Sequence, residues 1–377
     1  MNMDAYVGPN RITLRAFLPS KPLQRSSLLG LAVCALCIRA TAAPLDTLLT
    51  ATPNLYEDSA RVELAFDAMN STLDVFKLRE KDPNYSGTNV GDYSGAHLLA
   101  SYGLSDRLWV DLGLWQRKIS YRSDTESVHS WQTAVQYRFP TKRNASLGYG
   151  LRLSAWGNKS GALEKSTPTN AFGQTLDNIR VEDPQDRQVQ LDFLSTWRPG
   201  GAWSVSGFAG TGISTVDVGA VQAGYNGCQY AIRFKDNAVT GTQIGTCGAL
   251  LSSSFSVAVS GNLADGIAYN ADYVHAGVNL RWQSPRWTVR GGYSIQQVSR
   301  DQVDDLTRAQ SMKVYERNQI VEGELALALD KGMETFVRGE LMTNQFLGEI
   351  PFAYNTFTSS KFGRKYGLVS IGLRGTM

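Results

Sequence analysis

The stretch Tyr102–Arg117 reads Y-G-L-S-D-R-L-W-V-D-L-G-L-W-Q-R. Past the L-S-D-R turn, Val110, Leu112 and Leu114 point one way, and Trp109, Asp111, Gly113, Trp115 and Arg117 point the other. This two-residue period belongs to an extended strand, whose successive Cβ atoms leave opposite faces of the pleat. It returns at Tyr149, Leu151, Leu153 and Ala155 against Gly148, Gly150, Arg152, Ser154 and Trp156. Val274, Ala276, Val278 and Leu280 alternate with His275, Gly277, Asn279 and Arg281, and Val321, Leu325, Leu327 and Leu329 with Glu322, Glu324, Ala326 and Ala328. The apolar faces of these segments carry no charge. A soluble sandwich tolerates a lysine at the rim of its core. An uncharged apolar face opposite a charged one, in segments of about ten residues, is the pattern of a strand with lipid on one side.

The connections alternate in length. Short turns fall at Leu104–Arg107, Pro140–Asn144, Arg198–Ala202, Gln283–Arg286 and Asp330–Met333, and long loops span 72–92, 119–127, 157–186, 215–268, 300–316 and 347–364. Five short turns between six long loops predict an all-β, transmembrane, antiparallel up-and-down β-barrel of about 12 strands over residues 60–377. The apolar run Leu250–Ser260 is the alternative: one more hairpin there would make 14 strands. Trp197 and Trp203 flank one short turn, Trp282 and Trp287 another, and Tyr137 and Phe139 precede a third. Rings with an apolar body and a polar edge collect at a bilayer interface, so these six residues are expected to form a membrane girdle at the short-turn, periplasmic end.

A chain of 377 residues with 42% hydrophobic and 19% charged residues, 36 Gly and 12 Pro is neither disordered nor of low complexity. No uncharged apolar stretch reaches the length of a spanning helix, about 20 residues. A net charge of +3 does not by itself call for a nucleic-acid partner, and none is expected. Arg11, Arg15, Lys21 and Arg25 precede the short apolar run Leu28–Ile38 and the triplet Ala40-Thr41-Ala42, which predicts a signal peptide over residues 1–42, cut after Ala42. Residues 43–59 are expected to be a short periplasmic N-terminal segment holding a short helix or small plug. Without residues 1–42 the chain carries 32 Lys+Arg against 33 Asp+Glu. Cys34 and Cys37 leave with the signal, and Cys228 and Cys247 are expected to form a disulfide worth about 3 kcal/mol in an oxidising compartment. Their loop, 215–268, is expected either to fold into the barrel mouth as a stiff constriction or to stand outside as a braced lid.

With the apolar faces turned to lipid, the lumen is expected to receive Arg61, Glu63, Asp67, His97, Asp111, Arg117, Arg152, Asp192, His275, Arg281, Arg290, Glu322, Glu324, Arg338, Glu340 and Arg374. Antiparallel neighbours lie about 5–8 Å apart, so the strand of Glu322 and Glu324 sits between strands offering Arg290 and Arg338, and mutual pairing follows. Two interiors fit: one filled and stiffened by ion pairs, or a hydrated channel with weak charge preference. The third histidine, His129, falls toward the external rim. No G-x-S-x-G element or metal-ligand spacing accompanies the histidines, so no catalytic residue, metal or cofactor is assigned. The acidic loop segments Glu182, Asp183, Asp186 and Asp301, Asp304, Asp305 are candidates for binding divalent ions or lipopolysaccharide.

The signal, the hairpin Tyr102–Leu114 and the terminal strand Y-G-L-V-S-I-G-L-R-G-T-M at Tyr366–Met377 together resemble Gram-negative outer-membrane β-barrel proteins. The hairpin also resembles barrels encoded with aromatic-compound degradation pathways. The resemblance covers residues 60–377 as architecture. It implies residence in the cell outer membrane, insertion by the barrel-assembly machinery and contact with outer-membrane lipid and lipopolysaccharide. The function implied is a channel or porin-like protein for small solutes. A structural or surface-interaction protein is the first alternative and a lipid-modifying hydrolase the second. Such barrels usually end in an aromatic residue, and Met377 departs from that pattern.

Overall fold

Strands that alternate lipid-facing and water-facing side chains must still satisfy every backbone amide, and this chain does so by closing one sheet on itself. The computed structural model describes residues 58–70, 72–74, 90–121, 124–141, 146–166, 168–171, 174–235, 238–248, 253–258, 267–309, 311–330, 332–356 and 358–377. The expected signal peptide and most of the segment after it lie outside the described residues. In chain order the first elements are β1 (Ala60–Met69), β2 (Val90–Ser105), β3 (Leu108–Tyr121), β4 (Asp124–Arg138), β5 (Leu147–Ser160), β6 (Ala162–Lys165), β7 (Thr169–Ala171), β8 (Gln174–Leu176), β9 (Asn178–Glu182) and β10 (Gln185–Gly200). They continue with β11 (Trp203–Asp217), β12 (Val221–Tyr225), β13 (Cys228–Lys235), β14 (Ala238–Ile244), β15 (Ser254–Ala258), β16 (Tyr269–Gln283), β17 (Trp287–Arg300), α1 (Asp301–Ala309), β18 (Arg317–Asp330), β19 (Met333–Met342) and β20 (Tyr366–Thr376).

Twelve of the strands form a closed barrel in the order β1-β2-β3-β4-β5-β10-β11-β16-β17-β18-β19-β20. Every neighbouring pair is antiparallel, including the closing pair, in which Glu63 lies opposite Arg374 and Asp67 opposite Ser370. The alternation is realised as burial: Arg61, Glu63 and Asp67 are buried while Val62, Leu64 and Phe66 are exposed, Phe66 by 66%. Leu153, Ile213, Val274 and Ile371 extend the exposed apolar band to other strands. A water-soluble monomer rarely exposes an apolar patch of that extent.

The expected short turns Leu104–Arg107, Arg198–Ala202 and Gln283–Arg286 join consecutive barrel strands, and those at Pro140–Asn144 and Asp330–Met333 lie partly outside the described residues. In one, Gly200 and Gly201 take φ of 108° and 69°, angles that side-chain-bearing residues rarely adopt. Two corrections concern the other end. Residues 119–121 and 124–127 of the expected long loop are instead strand, because β3 and β4 stay paired out to Tyr121 and Asp124. The segment Ser254–Ala258 of the apolar run pairs with β14 outside the barrel, so the count is twelve and not fourteen.

The loops between β5 and β10 and between β11 and β16 build a second, six-stranded sheet in the order β15-β14-β13-β12-β9-β6. It has its own small core of Leu176, Val221, Ala223, Tyr230, Ile232 and Val239. The disulfide between Cys228 and Cys247 staples this sheet, with Cα atoms 5.5 Å apart. Strands β12 to β15 of the loop 215–268 belong to this sheet and pair with no barrel strand. A different loop enters the barrel: the segment 343–365, between β19 and β20, carries the buried side chains Phe346, Leu347, Ile350, Phe352, Tyr354 and Phe362. They pack on inward-facing Tyr93, Val128, Trp156, Tyr269 and Val298 of the wall, and this is the main apolar core.

Candidate functional site

The barrel interior has a charged lower part, toward the short turns, and a plugged upper part. In the lower part Glu324 accepts hydrogen bonds from Arg290 (Nε, 3.0 Å), Arg338 (Nη2, 2.9 Å) and Arg374 (Nη2, 2.8 Å). Glu63 accepts from Arg338 (2.8 Å) and Arg374 (2.7 Å). Two carboxylates and three guanidiniums thus tie β17, β18 and β19 across the closing seam between β20 and β1. The Phe336 ring lies under two of these cations, 4.6 Å from Arg374 and 5.1 Å from Arg338. Next to this cluster, His97 lies between Asp67 (2.9 Å) and Glu63 (3.5 Å), and His275 meets Asp192 at 2.6 Å. Arg152 pairs with Asp111 and donates to Gln136.

Of the sixteen residues expected in the lumen, fourteen are buried there, and Asp111 and Arg281 are half-buried. A wide water-filled channel would leave such side chains accessible to water. Here they fill the space with one another. The aromatic rings fit because glycines make room: the Tyr273 ring lies over Gly212 and the Phe208 ring over Gly277, where a Cβ would collide with each.

In the upper part, wall side chains hold the backbone of the inserted loop. Asn158 donates to Glu349 O at 2.8 Å and Asn318 to Leu347 O at 2.9 Å. The Tyr269 hydroxyl reaches Pro351 O at 2.7 Å and Tyr354 O at 2.9 Å. The Phe352 N–H donates to Asp186 at 3.4 Å, and Asn158 steadies that same carboxylate at 2.8 Å. The buried loop carbonyls and this amide therefore find partners on the wall, as buried backbone groups must. Arg300 stacks 3.8 Å over the Tyr354 ring and donates to Asp304 of α1 at 3.2 Å. Burial raises the Asp304 carboxyl above its ordinary value despite the attraction of Arg300.

Sequence reasoning did not single out Asn158, Tyr269 or Asn318 as functional. The available signal was an amide or hydroxyl on the inward face near the long-loop end of a strand. Asp186, expected in an exposed acidic cluster, is buried beneath the loop. The other acidic loop residues are also dispersed: Glu182 bonds Arg180 and Gln222, and Asp305 pairs with Arg308. Among the described residues no three metal-ligating side chains gather. His129 is exposed near the long-loop end of β4. The aromatic residues expected at the girdle stand near the short turns, with Tyr137, Trp197, Trp203 and Trp287 exposed outward and Phe139 and Trp282 half-buried. The rings of Trp203 and Trp282 face each other across a strand pair, 6.4 Å apart.

Between the external sheet, the barrel rim and the inserted loop lies a cavity of about 220 Å³. Ile179, Val181, Val221 and Ile232 line it from the sheet, and Phe346, Ile350 and Phe352 from the loop.

No family model and no curated protein matches this sequence. Solved structures do match in outline. The translocator domain of the autotransporter NalP from Neisseria meningitidis is 9% identical with a TM-score of 0.45, covering 93% of this chain and 95% of its own. The CymD monoaromatic hydrocarbon channel is 10% identical with a TM-score of 0.39, over 88% and 91% of the two chains. The KdgM porin is 8% identical with a TM-score of 0.36, over 84% and 98%. Likenesses of this size bear on neither substrate nor activity. The chain's own closed twelve-stranded sheet, apolar outside and polar within, has the architecture of an outer-membrane β-barrel.

Proposed function

We propose that this protein is a gated outer-membrane channel for small solutes, with the short turns in the periplasm and the long loops and external sheet outside. The segment 343–365 is the gate, and it must leave the mouth before solute passes. The observation that supports this reading most is how the loop is held. It enters the barrel end through apolar side chains, and hydrogen bonds from Asn158, Tyr269 and Asn318 to its backbone hold it there. Each such bond contributes about 0.5–1.5 kcal/mol net, so removing one should raise the population of the released loop roughly 2- to 13-fold. The aromatic girdle, lipid and lipopolysaccharide contact on the apolar band, and insertion by the barrel-assembly machinery belong to the same proposal. Catalysis does not: His97 and His275 each point inward to carboxylates of the wall.

Proteoliposomes loaded with a small uncharged sugar test the proposal. The double variant Asn158→Ala/Asn318→Ala should admit the sugar several-fold faster than the parent protein. If both are impermeable, the reading as a structural or surface-interaction protein prevails. The filled lower interior around Glu324 favours that second reading.

A further inference from the structure

We infer that the cavity between the external sheet and the inserted loop binds a small uncharged apolar molecule, roughly one or two fused rings in size. The inference deepens the gated-channel reading and rests on it for its purpose, since it makes this cavity the first station of the passage.

The walls decide the chemistry. Three separate parts of the chain converge on the cavity: Ile119 and Val128 from the barrel rim, Val181 and Val221 from the external sheet, and Phe352 and Phe362 from the loop. Water held in such a space needs two to four polar partners, whereas an apolar cavity of about 150 Å³ stays dry and takes up benzene. At about 220 Å³ this one is larger, and it is partly open to solvent. A charged molecule would lose its hydration against mostly aliphatic and aromatic walls. Among the charged residues of the lining, Glu164 pairs with Arg180 on the exposed sheet, and Glu126 accepts the Glu164 N–H at 3.1 Å at the polar edge of the cavity.

Position argues against a lipid acyl chain as the occupant. Ile119 shares its strand face with Trp115 and Arg117, and Val128 shares its face with Ser130, all of which point inward. The cavity is therefore on the lumen side of the wall, and its occupant comes from the aqueous side. The side chains of Phe346, Ile350 and Phe352 both line the cavity and anchor the loop in the mouth. A ligand there makes its contacts with one position of the loop, and so biases that position.

Equilibrium dialysis of radiolabelled naphthalene against the refolded full chain in amphipol tests the site. Saturable binding of one molecule per chain is expected. Laurate and the anionic, similarly shaped naphthalene-1-sulfonate should not displace it. Ala353→Trp, which fills the cavity from the loop side, and Ala223→Phe, which fills it from the sheet side, should each weaken binding at least tenfold while keeping the folded barrel's gel mobility. Non-saturable uptake, equal displacement by the sulfonate, displacement by laurate, or unchanged binding in the folded variants overturns the inference. Sugar flux through the same proteins separates the two claims. A barrel that conducts without saturable naphthalene binding loses only this site. One that binds naphthalene but never conducts keeps the site and loses the channel.

Discussion

Single side chains decide whether the interior is a stiff wall. Glu324 has no exposed side-chain surface and faces Arg290, Arg338 and Arg374. Removing the carboxylate leaves buried cations short of a partner, for which the usual cost is about 3–5 kcal/mol. Glu324→Ala should therefore lower the denaturant midpoint of unfolding sharply. Lys159→Ala, which breaks an exposed pair with Asp183, should change stability by less than about 1 kcal/mol. Gly212→Val tests the close packing in the same way. The Tyr273 ring occupies the space a side chain would need, so overpacking should cost about 1–3 kcal/mol. The inward direction of these residues was legible in the sequence, because period-two alternation fixes the face of each one. Their partners were less legible. Glu324 with Arg290 and Arg338 follows from adjacent strands, but Glu63 with Arg338 and Arg374 depends on the closing register, which no local pattern states.

Among the elements, the disulfide-stapled sheet and the inserted loop divide the roles that the sequence assigns to one long loop. Cys228 and Cys247 bridge β13 and the residues just after β14, far along the chain from 343–365. Reduction, or Cys228→Ser with Cys247→Ser, should loosen that part of the sheet by about 3 kcal/mol and speed its proteolysis. The barrel's unfolding midpoint and its basal conductance should not change. A fall in the barrel midpoint would show that sheet and barrel unfold as one unit. Strands, short turns and the existence of long loops could be read from the sequence, because hydrophobic period and turn residues act locally. Which loop would enter the mouth could not. Phe346, Ile350, Phe352 and Phe362 form no regular repeat, and the groups that receive them, from Asn158 to Asn318, are spread over half the barrel.

For the whole molecule, a gated channel needs one orientation and a loop that can leave the mouth. Cysteines placed at Lys159 and Lys313, near the long-loop end, should react with an impermeant label added to intact cells. Cysteines at Asp106 and Ser284, in short turns, should not, and the opposite pattern would invert the topology. The twelve-stranded closure, the exposed apolar band and the buried charges all suit a bilayer, yet a filled interior also suits a barrel that conducts nothing. Single-channel recording in planar bilayers separates these outcomes, comparing the parent protein with a variant whose residues 346–362 are replaced by a short Gly-Ser linker. Small or rare openings are expected for the parent, and more frequent or larger ones once the loop is gone, with the ion pairs around Glu324 still narrowing the lower interior. A loop-replaced barrel that inserts, keeps its folded mobility and still passes no current would contradict the gated channel.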